Sequence, residues 1–482
     1  MEKKINKISN GVNQKLSSQV AYNTIIQIIG KIIATVLGLL AIAIMARYLK
    51  EIGFGQYTTI ITFLSFFGII ADFGLTLITS QMISQPGNNQ SVLLNNLFSL
   101  RLVSAIFFLG LAPLVVLFFP YEPIIKLGVA VTALSFFFTA LNQILVGFFQ
   151  KNLTMTVVAM AEVVSRIILL AGVIVTVYLN LGLLSIMVAT VISSFISFVM
   201  HYWFSRRFIK IGWQIDLSVW REIIKKSWPL GLTIFFNLIY LRADIFILSL
   251  LKGQADVGLY GATYKVIDIL TTLPFMFAGL ILPILTLEWS NKNLQKFNQI
   301  LQKSFDVMVI LAIPLIIGAQ LTAKPLMIMI AGENFSQSGD ILKILMLAIG
   351  FIFVGCLFAH AVIALDKQKN IIGAYIFTAI TSLIGYLIFI PLFSYNGAAW
   401  VTVYSEFAIT AFSFYIIIKY SNFSPNLMIF LKSLIASLIM GISVYFLMDK
   451  INLILVILLG ALIYIISLYL LKGINKEDLK LS

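Results

Sequence analysis

The stretch NLIYLRADIFILSLL, residues 237–251, is an apolar run that holds an arginine and an aspartate two positions apart. Its surroundings are equally apolar: 60% of the 482 residues are hydrophobic, only 11% are charged, and the mean hydropathy is +1.03. A soluble protein of this length with so few charges would be unable to cover its surface. The composition therefore indicates a membrane protein that crosses the bilayer many times.

Fourteen apolar runs are long enough to cross a bilayer of about 30 Å as helices. They lie at 22–46, 57–81, 97–119, 124–149, 154–178, 182–204, 228–251, 257–286, 304–323, 342–365, 371–393, 396–419, 427–447 and 452–471. Short breaks with turn-forming residues separate them, among them QPGNNQ, FFPYEP, SYNG and LMDKIN. β-Barrel strands would be about half as long and would alternate strictly. The sequence predicts an all-α polytopic membrane protein with 14 transmembrane helices.

The basic residues predict the orientation of the chain. With the N-terminus inside, the cytoplasmic segments hold 21 of the 33 lysines and arginines, the opposite loops hold 7, and five lie within spans. This asymmetry satisfies the positive-inside rule. The same distribution explains the net charge of +14, because basic cytoplasmic segments set the topology and attract anionic membrane lipids. Nucleic-acid binding is therefore not needed to explain the positive charge and is not expected.

The longest cytoplasmic connection, SRRFIKIGWQIDLSVWREIIKKS, alternates basic residues with isoleucine and tryptophan, which is typical of an amphipathic surface segment. The predicted organisation is a cytoplasmic lead (1–21), a six-helix bundle (22–204), this amphipathic linker (205–227), a second six-helix bundle (228–419), two further helices (427–471) and a cytoplasmic tail (472–482). The lead opens into the first span without a cleavage signal, so that span is read as retained.

The two bundles show traces of a repeat. Aligning Gly55-Gln-Tyr57 with Gly258-Leu-Tyr260 gives an offset of 203 residues, and both motifs follow an odd-numbered span. Six spans precede the linker, so the two halves start on the same side of the membrane. Together these features predict two bundles in parallel repeat, an arrangement found in transporters that rock around a central site.

Charged residues inside spans are costly and need a partner or a watery cavity. Glu162 with Arg166 (i,i+4) and Lys265 with Asp268 (i,i+3) can each pair along their own helix. Arg242 and Asp244 point to nearly opposite sides of theirs. Other charged positions also lack a local partner and must find one on another helix, in water or in a substrate: Lys31, Arg101, Asp72 and Glu406.

Several converging cations favour an anionic substrate, and two or more favour a pyrophosphate. Interhelical ion pairs that only fix the packing are the structural alternative. Two isolated histidines, His201 and His360, predict no metal site, and the single cysteine, Cys356, predicts a packing residue. The sequence has no P-loop and no long outward loop for catalytic groups, so neither an enzyme nor a cofactor is expected.

Three blocks of the chain resemble the Wzx-type polysaccharide-repeat-unit flippases of the multidrug/oligosaccharidyl-lipid/polysaccharide (MOP) superfamily, whose fold is MATE-like. The first block, 45–85, carries Arg47-Tyr48-Leu49, Gly53-Phe54-Gly55, Tyr57, Asp72 and Gly74. The second, 241–274, carries Arg242, Asp244, Gly258, Tyr260 and Pro274. The third, 390–407, carries Pro391, Gly397, Ala398, Ala399 and Glu406.

The resemblance implies a flippase that moves undecaprenyl-pyrophosphate-linked O-antigen or capsule repeat units to the outer leaflet of a bacterial cytoplasmic membrane, with both termini cytoplasmic. Alternating access would expose a cationic cavity between the halves, where the expected substrate-binding residues are Lys31, Arg101, Arg242 and Lys265. The expected coupling residues, which would answer to H⁺, Na⁺ or the membrane potential, are Asp72, Asp244 and Glu406. A glycan polymerase is a possible partner. The alternatives are a multidrug/cation antiporter of the same superfamily, which would favour acids over cations, and a membrane glycan polymerase or ligase.

Overall fold

The computed structural model describes residues 2–84, 90–209 and 211–473, and within these ranges it contains helices and no strand. Hydrocarbon offers no partner for backbone N–H and C=O groups, so apolar runs of this length must satisfy them internally as helices. The helices are α1 (Glu2–Asp72), α2 (Leu75–Ser84), α3 (Gln90–Val115), α4 (Pro123–Lys151), α5 (Met155–Tyr178), α6 (Gly182–Ser205), α7 (Leu217–Leu251), α8 (Gln254–Ser290), α9 (Leu294–Ala331), α10 (Ser338–Ala364), α11 (Gln368–Ser421), α12 (Met428–Leu447) and α13 (Leu453–Leu470). The predicted tail from 474 and the centre of the turn at 85–89 lie outside the described residues.

The predicted number of spans is confirmed. Eleven described helical segments are long and apolar enough to cross a membrane, and α1 and α11 among them each hold two spans. The break in α1 lies at Lys50 (φ 55°, ψ −172°), and the break in α11 at Ser394 (φ 49°, ψ −134°). With α7 as the seventh span, the described residues account for all fourteen.

The break at Ser394 is held by groups at the start of α8 and in the turn before it. The Ser394 hydroxyl donates a hydrogen bond to the Asp256 carboxylate, and Lys252 Nζ donates to the Pro391 carbonyl at 2.9 Å. A non-glycine residue at positive φ costs free energy, so it persists only where neighbouring contacts support it. The predicted turn SYNG is therefore a supported corner between two antiparallel arms of α11.

Packing divides the chain into two compact units. The first comprises Met1–Leu49 and Gln56–Leu238, and the second comprises Lys50–Gly55 and Ile239–Ser482. In the first unit, α4 packs against α3 and α6, and α5 against α6. In the second, α10 is the central helix and contacts α8, α9 and α11, while α12 and α13 pack on each other and on α9. The domain limits predicted from the sequence remain predictions.

The linker before α7 is fixed to α3 by side chains that satisfy its extended backbone. The N–H groups of Gly212 and Asp216 donate to Asn95 Oδ1 and Asn96 Oδ1 at 3.1 and 2.9 Å. Asp216 then accepts a hydrogen bond from Ser218 Oγ at 2.6 Å and caps the first turn of α7. Hydrogen bonds from the Ser218 hydroxyl and the neighbouring backbone N–H groups lower the pKa of the Asp216 carboxyl below its ordinary value.

Two glycines of the repeat motif meet in the second unit. A Cβ on Gly55 would lie 1.7 Å from the Gln254 carbonyl oxygen, and a Cβ on Gly258 would lie 1.9 Å from the Glu51 carbonyl oxygen. The two residues that these glycines meet, Glu51 and Gln254, are themselves 203 positions apart, like Gly55 and Gly258. This reciprocity places the two segments backbone to backbone, in a crossing that has no room for any side chain.

Candidate functional site

Arg101 on α3 lies at the centre of a buried polar cluster in the first unit, with only 1% of its surface exposed. Its Nη1 lies 2.8 Å from Asp72 Oδ1, and its Nε donates to the Ala140 carbonyl at 3.1 Å. Its Nη2 donates to the Gln143 side-chain carbonyl. The guanidinium is therefore surrounded by three acceptors, one at the end of α1 and two on α4, which offset the large cost of burying its charge.

The partner carboxylate sits at a break in the second span that the sequence did not predict. Phe73 (φ 44°) and Gly74 (φ 81°) interrupt the helix between α1 and α2. Asp72 Oδ1 accepts from the Thr76 backbone N–H at 3.2 Å and from the Thr76 hydroxyl, and so caps α2. A carboxylate at a helix N-terminus is stabilised by the unpaired N–H groups there. Asp72 and Arg101, predicted for coupling and for substrate binding, neutralise each other in this conformation.

Lys31 on α1 occupies a more open position in the same unit. Its Nζ lies 2.9 Å from Glu162 Oε1 on α5, with side-chain exposures of 53% and 30%. Glu162 therefore pairs across helices with Lys31, whereas its own helix offered Arg166. Because about half of the Lys31 side chain is exposed, its ammonium is accessible to a second anion.

Arg242 on α7 likewise pairs across helices, in the second unit. Its Nη2 donates to Asp268 Oδ1 on α8 at 2.8 Å, and its guanidinium carbon lies 5.3 Å from the centre of the Tyr264 ring. The side chains of Arg242 and Asp268 remain 31% and 40% exposed. The local partner suggested for Asp268, Lys265, is half-buried on the same helix. Arg242 is thus an accessible cation whose ring contact would survive a change of anionic partner.

Asp244, two residues further along α7, is completely buried. Its Oδ2 accepts hydrogen bonds from the hydroxyls of Tyr260, at 2.8 Å, and Tyr264. Thr402 Oγ1 on α11 lies 3.5 Å from the same oxygen and 3.2 Å from the Tyr386 hydroxyl. These five residues, defined here as the Asp244 cluster, form a hydroxyl-lined site inside the second unit.

Glu406, the third residue predicted for coupling, is buried on α11 one turn beyond Thr402, and so shares its helix face. The structure therefore pairs Asp72 with Arg101. Thr402 contacts Asp244, and Glu406 lies one helical turn from Thr402 on α11. The structure pairs Arg242 with Asp268 and not with Asp244. Arg242 and Asp244 were predicted to point to nearly opposite sides of their helix, yet both side chains contact Tyr264 on α8.

The partners of these charges were mostly missed by sequence reasoning. Gln143 and Thr76 are ordinary polar residues in long apolar runs, and nothing local marks them. Tyr260 and Tyr264 carried a usable signal, because they stand at i and i+4 on the helix that opens with the repeat motif. Their spacing predicts one face, but which acid that face meets depends on helix packing.

A family model described as polysaccharide biosynthesis protein matches residues 44–340, which is more than half of the chain. A comparison with curated proteins finds no match.

Solved structures share the fold at low sequence identity. One is the lipid II flippase MurJ in an inward closed conformation, at TM-score 0.75 and 18% identity, covering 92% of this chain and 98% of that one. Another is an inward-facing multidrug resistance MATE family transporter of the MOP superfamily, at TM-score 0.67 and 14% identity, covering 82% and 98%. A third is a MOP superfamily transporter from Pyrococcus furiosus, at TM-score 0.55 and 14% identity, covering 84% and 96%.

Proposed function

This chain belongs to the polysaccharide biosynthesis protein family, and from that premise we propose that it is a flippase for polyprenyl-pyrophosphate-linked oligosaccharides. The substrate is an O-antigen or capsule repeat unit on undecaprenyl pyrophosphate, moved from the inner to the outer leaflet of a bacterial cytoplasmic membrane. The similarity of the fold to that of MurJ, which is named a lipid II flippase, supports this function. The observation that carries the proposal is the presence of accessible cations, Arg242 above all, within the spans of such a fold.

Arg242 is suited to hold the pyrophosphate because its present bond is replaceable. It donates a hydrogen bond to Asp268 at 2.8 Å, and both side chains are about one-third exposed. Planar guanidinium groups bind phosphate oxygens in pairs, which compensates for the loss of a single carboxylate bond. Lys31 offers a second replaceable cation in the first unit, and Lys265 and Arg101 complete the proposed set.

Substitution of Arg242 tests this assignment. Arg242→Ala is expected to lower surface-glycan export at least tenfold in a complementation assay, because one good charge-assisted contact contributes about 1.5–3 kcal/mol. Arg242→Lys keeps the charge but loses the paired geometry, so partial export is expected. Arg207→Ala, which removes an exposed arginine packed over Trp203, serves as the matched control. Full export by Arg242→Ala at normal protein level rejects the contact.

The Asp244 cluster is the proposed coupling site. When Asp244 is ionised, the hydroxyls of Tyr260 and Tyr264 donate hydrogen bonds to its carboxylate. When the carboxylate binds H⁺ or Na⁺, the bound cation neutralises its charge. Burial makes an uncompensated charge expensive, so loading and release of a cation would change the free energy of this site strongly. Glu406 and Asp72 are the other proposed coupling residues.

Replacing the carboxylate by its neutral isostere separates coupling from binding. In proteoliposomes, Asp244→Asn is expected to abolish the stimulation of substrate flipping by an imposed H⁺ or Na⁺ gradient, while leaving substrate binding within about twofold of the original value. Gradients of each ion applied alone identify the coupling ion. Gradient stimulation that is unchanged in Asp244→Asn shows that coupling lies elsewhere.

A further inference from the structure

A pocket of about 430 Å³ lies between the two arms of α11 in the second unit, away from Arg242 and the Asp244 cluster. The arms are in close contact further along, where a Cβ on Gly385 would lie 3.1 Å from Val401. At Gly373 an added Cβ would meet nothing within 4 Å, so the gap between the arms is open there.

The inner wall of the pocket is apolar. Phe377 and Phe412 face each other edge to face, with ring centroids 5.9 Å apart, and Ala374 and Ile416 continue the same surface. Both phenylalanines keep more than a third of their surface exposed. This wall provides contact for methylene groups and offers no polar partner to a purely hydrophilic ligand.

The mouth of the pocket is cationic. The ammonium groups of Lys367 and Lys419 lie 4.7 and 5.8 Å from the centre of the Tyr420 ring. Asn370 Nδ2 donates to the Tyr420 hydroxyl at 2.8 Å, so the hydroxyl hydrogen can itself be donated to an anion. Among the described residues, neither lysine has a carboxylate within 4 Å. The nearby Asp366 accepts a hydrogen bond from Gln368 instead, at 3.0 Å.

We propose that this pocket binds the headgroup and first methylenes of an anionic glycerophospholipid in the leaflet on the lysine-rich side of the membrane. Lys367 and Lys419 neutralise the phosphate, the Tyr420 hydroxyl donates to it, and the Phe377–Phe412 wall contacts the acyl chain. A soluble phosphate ion would leave that apolar wall without a partner. The inference depends on the transmembrane fold and not on the proposed transport activity.

Native mass spectrometry of the purified full chain tests the proposal. The detergent-solubilised protein is incubated with equal amounts of phosphatidylglycerol and phosphatidylcholine, and bound lipids are counted. Retention of one phosphatidylglycerol in preference to phosphatidylcholine is expected. The double substitution Lys367→Gln with Lys419→Gln is expected to weaken that retention about 25-fold, since each basic residue near a lipid surface contributes about fivefold.

A second variant fills the pocket without removing charge. Gly373→Trp should abolish retention, whereas Gly279→Trp, at another position where an added Cβ meets nothing within 4 Å, should preserve it. Equal retention by Gly373→Trp and the original protein overturns the proposal. So does equal binding of the two lipids, or displacement by glycerol 1-phosphate as effective as displacement by lipid, because the apolar wall would then contribute nothing.

Discussion

Gly258→Leu is expected to destabilise the protein by about 3 kcal/mol or more, at the upper end of what overpacking costs. A Cβ at this position would lie 1.9 Å from the Glu51 carbonyl oxygen, a backbone atom that is unable to rotate away. The two segments would have to separate, and the Phe54–Phe335 edge-to-face contact beside them would be lost. Thermal unfolding followed by size-exclusion chromatography measures the effect.

Gly279→Leu is the matched control, because it lies on the same helix where an added Cβ meets nothing within 4 Å. It is expected to change the unfolding temperature little. The reciprocal substitution, Gly55→Leu, should reproduce the loss seen with Gly258→Leu, since its Cβ would lie 1.7 Å from the Gln254 carbonyl oxygen. A stable Gly258→Leu protein would show that the crossing is looser than described.

Arg101→Met is expected to cost about 3–5 kcal/mol, the usual consequence of leaving a buried charge without its partner. Asp72, 8% exposed, would lose the guanidinium 2.8 Å away and keep only the Thr76 and backbone contacts that cap α2. Thermal unfolding of the purified protein, in the same assay, measures this loss.

The double variant Arg101→Met with Asp72→Asn removes both charges and keeps an oxygen acceptor for α2. It should recover most of the lost stability. If the two single losses simply add, the residues do not act as a pair. The same double variant also examines the substrate role proposed for Arg101: a stable protein with normal export would assign the pair to structure alone.

Span positions could be predicted from the sequence because hydrocarbon imposes both length and helicity on an apolar run. The corner at Ser394 was predicted too, since SYNG is a strong turn signal. The break after Asp72 was not, because Phe73 adopts a left-handed conformation that a bulky residue rarely takes. A single glycine in an apolar run, such as Gly74, does not by itself predict a break in the helix.

Partners of the intramembrane charges were predictable only in part. Lys31, Arg101 and Arg242 were expected to find partners on other helices or in a substrate, and the structure gives each a carboxylate on another helix. Glu162 and Asp268, by contrast, had local candidates and still pair across helices. The spacing of residues along a helix shows which ion pairs are possible within it. Which ion pairs form depends on how the helices pack against each other.

The central proposal is that Arg242 holds the pyrophosphate of a lipid-linked oligosaccharide during its passage across the membrane. Flipping in proteoliposomes tests it directly, by following how fast a polyprenyl-pyrophosphate-linked oligosaccharide becomes accessible to a membrane-impermeant glycosidase. The original protein should expose the substrate well above the protein-free rate, and Arg242→Ala should fall at least tenfold while Arg207→Ala does not. A rate no higher than in protein-free vesicles, or a rate unchanged by Arg242→Ala, would contradict the account.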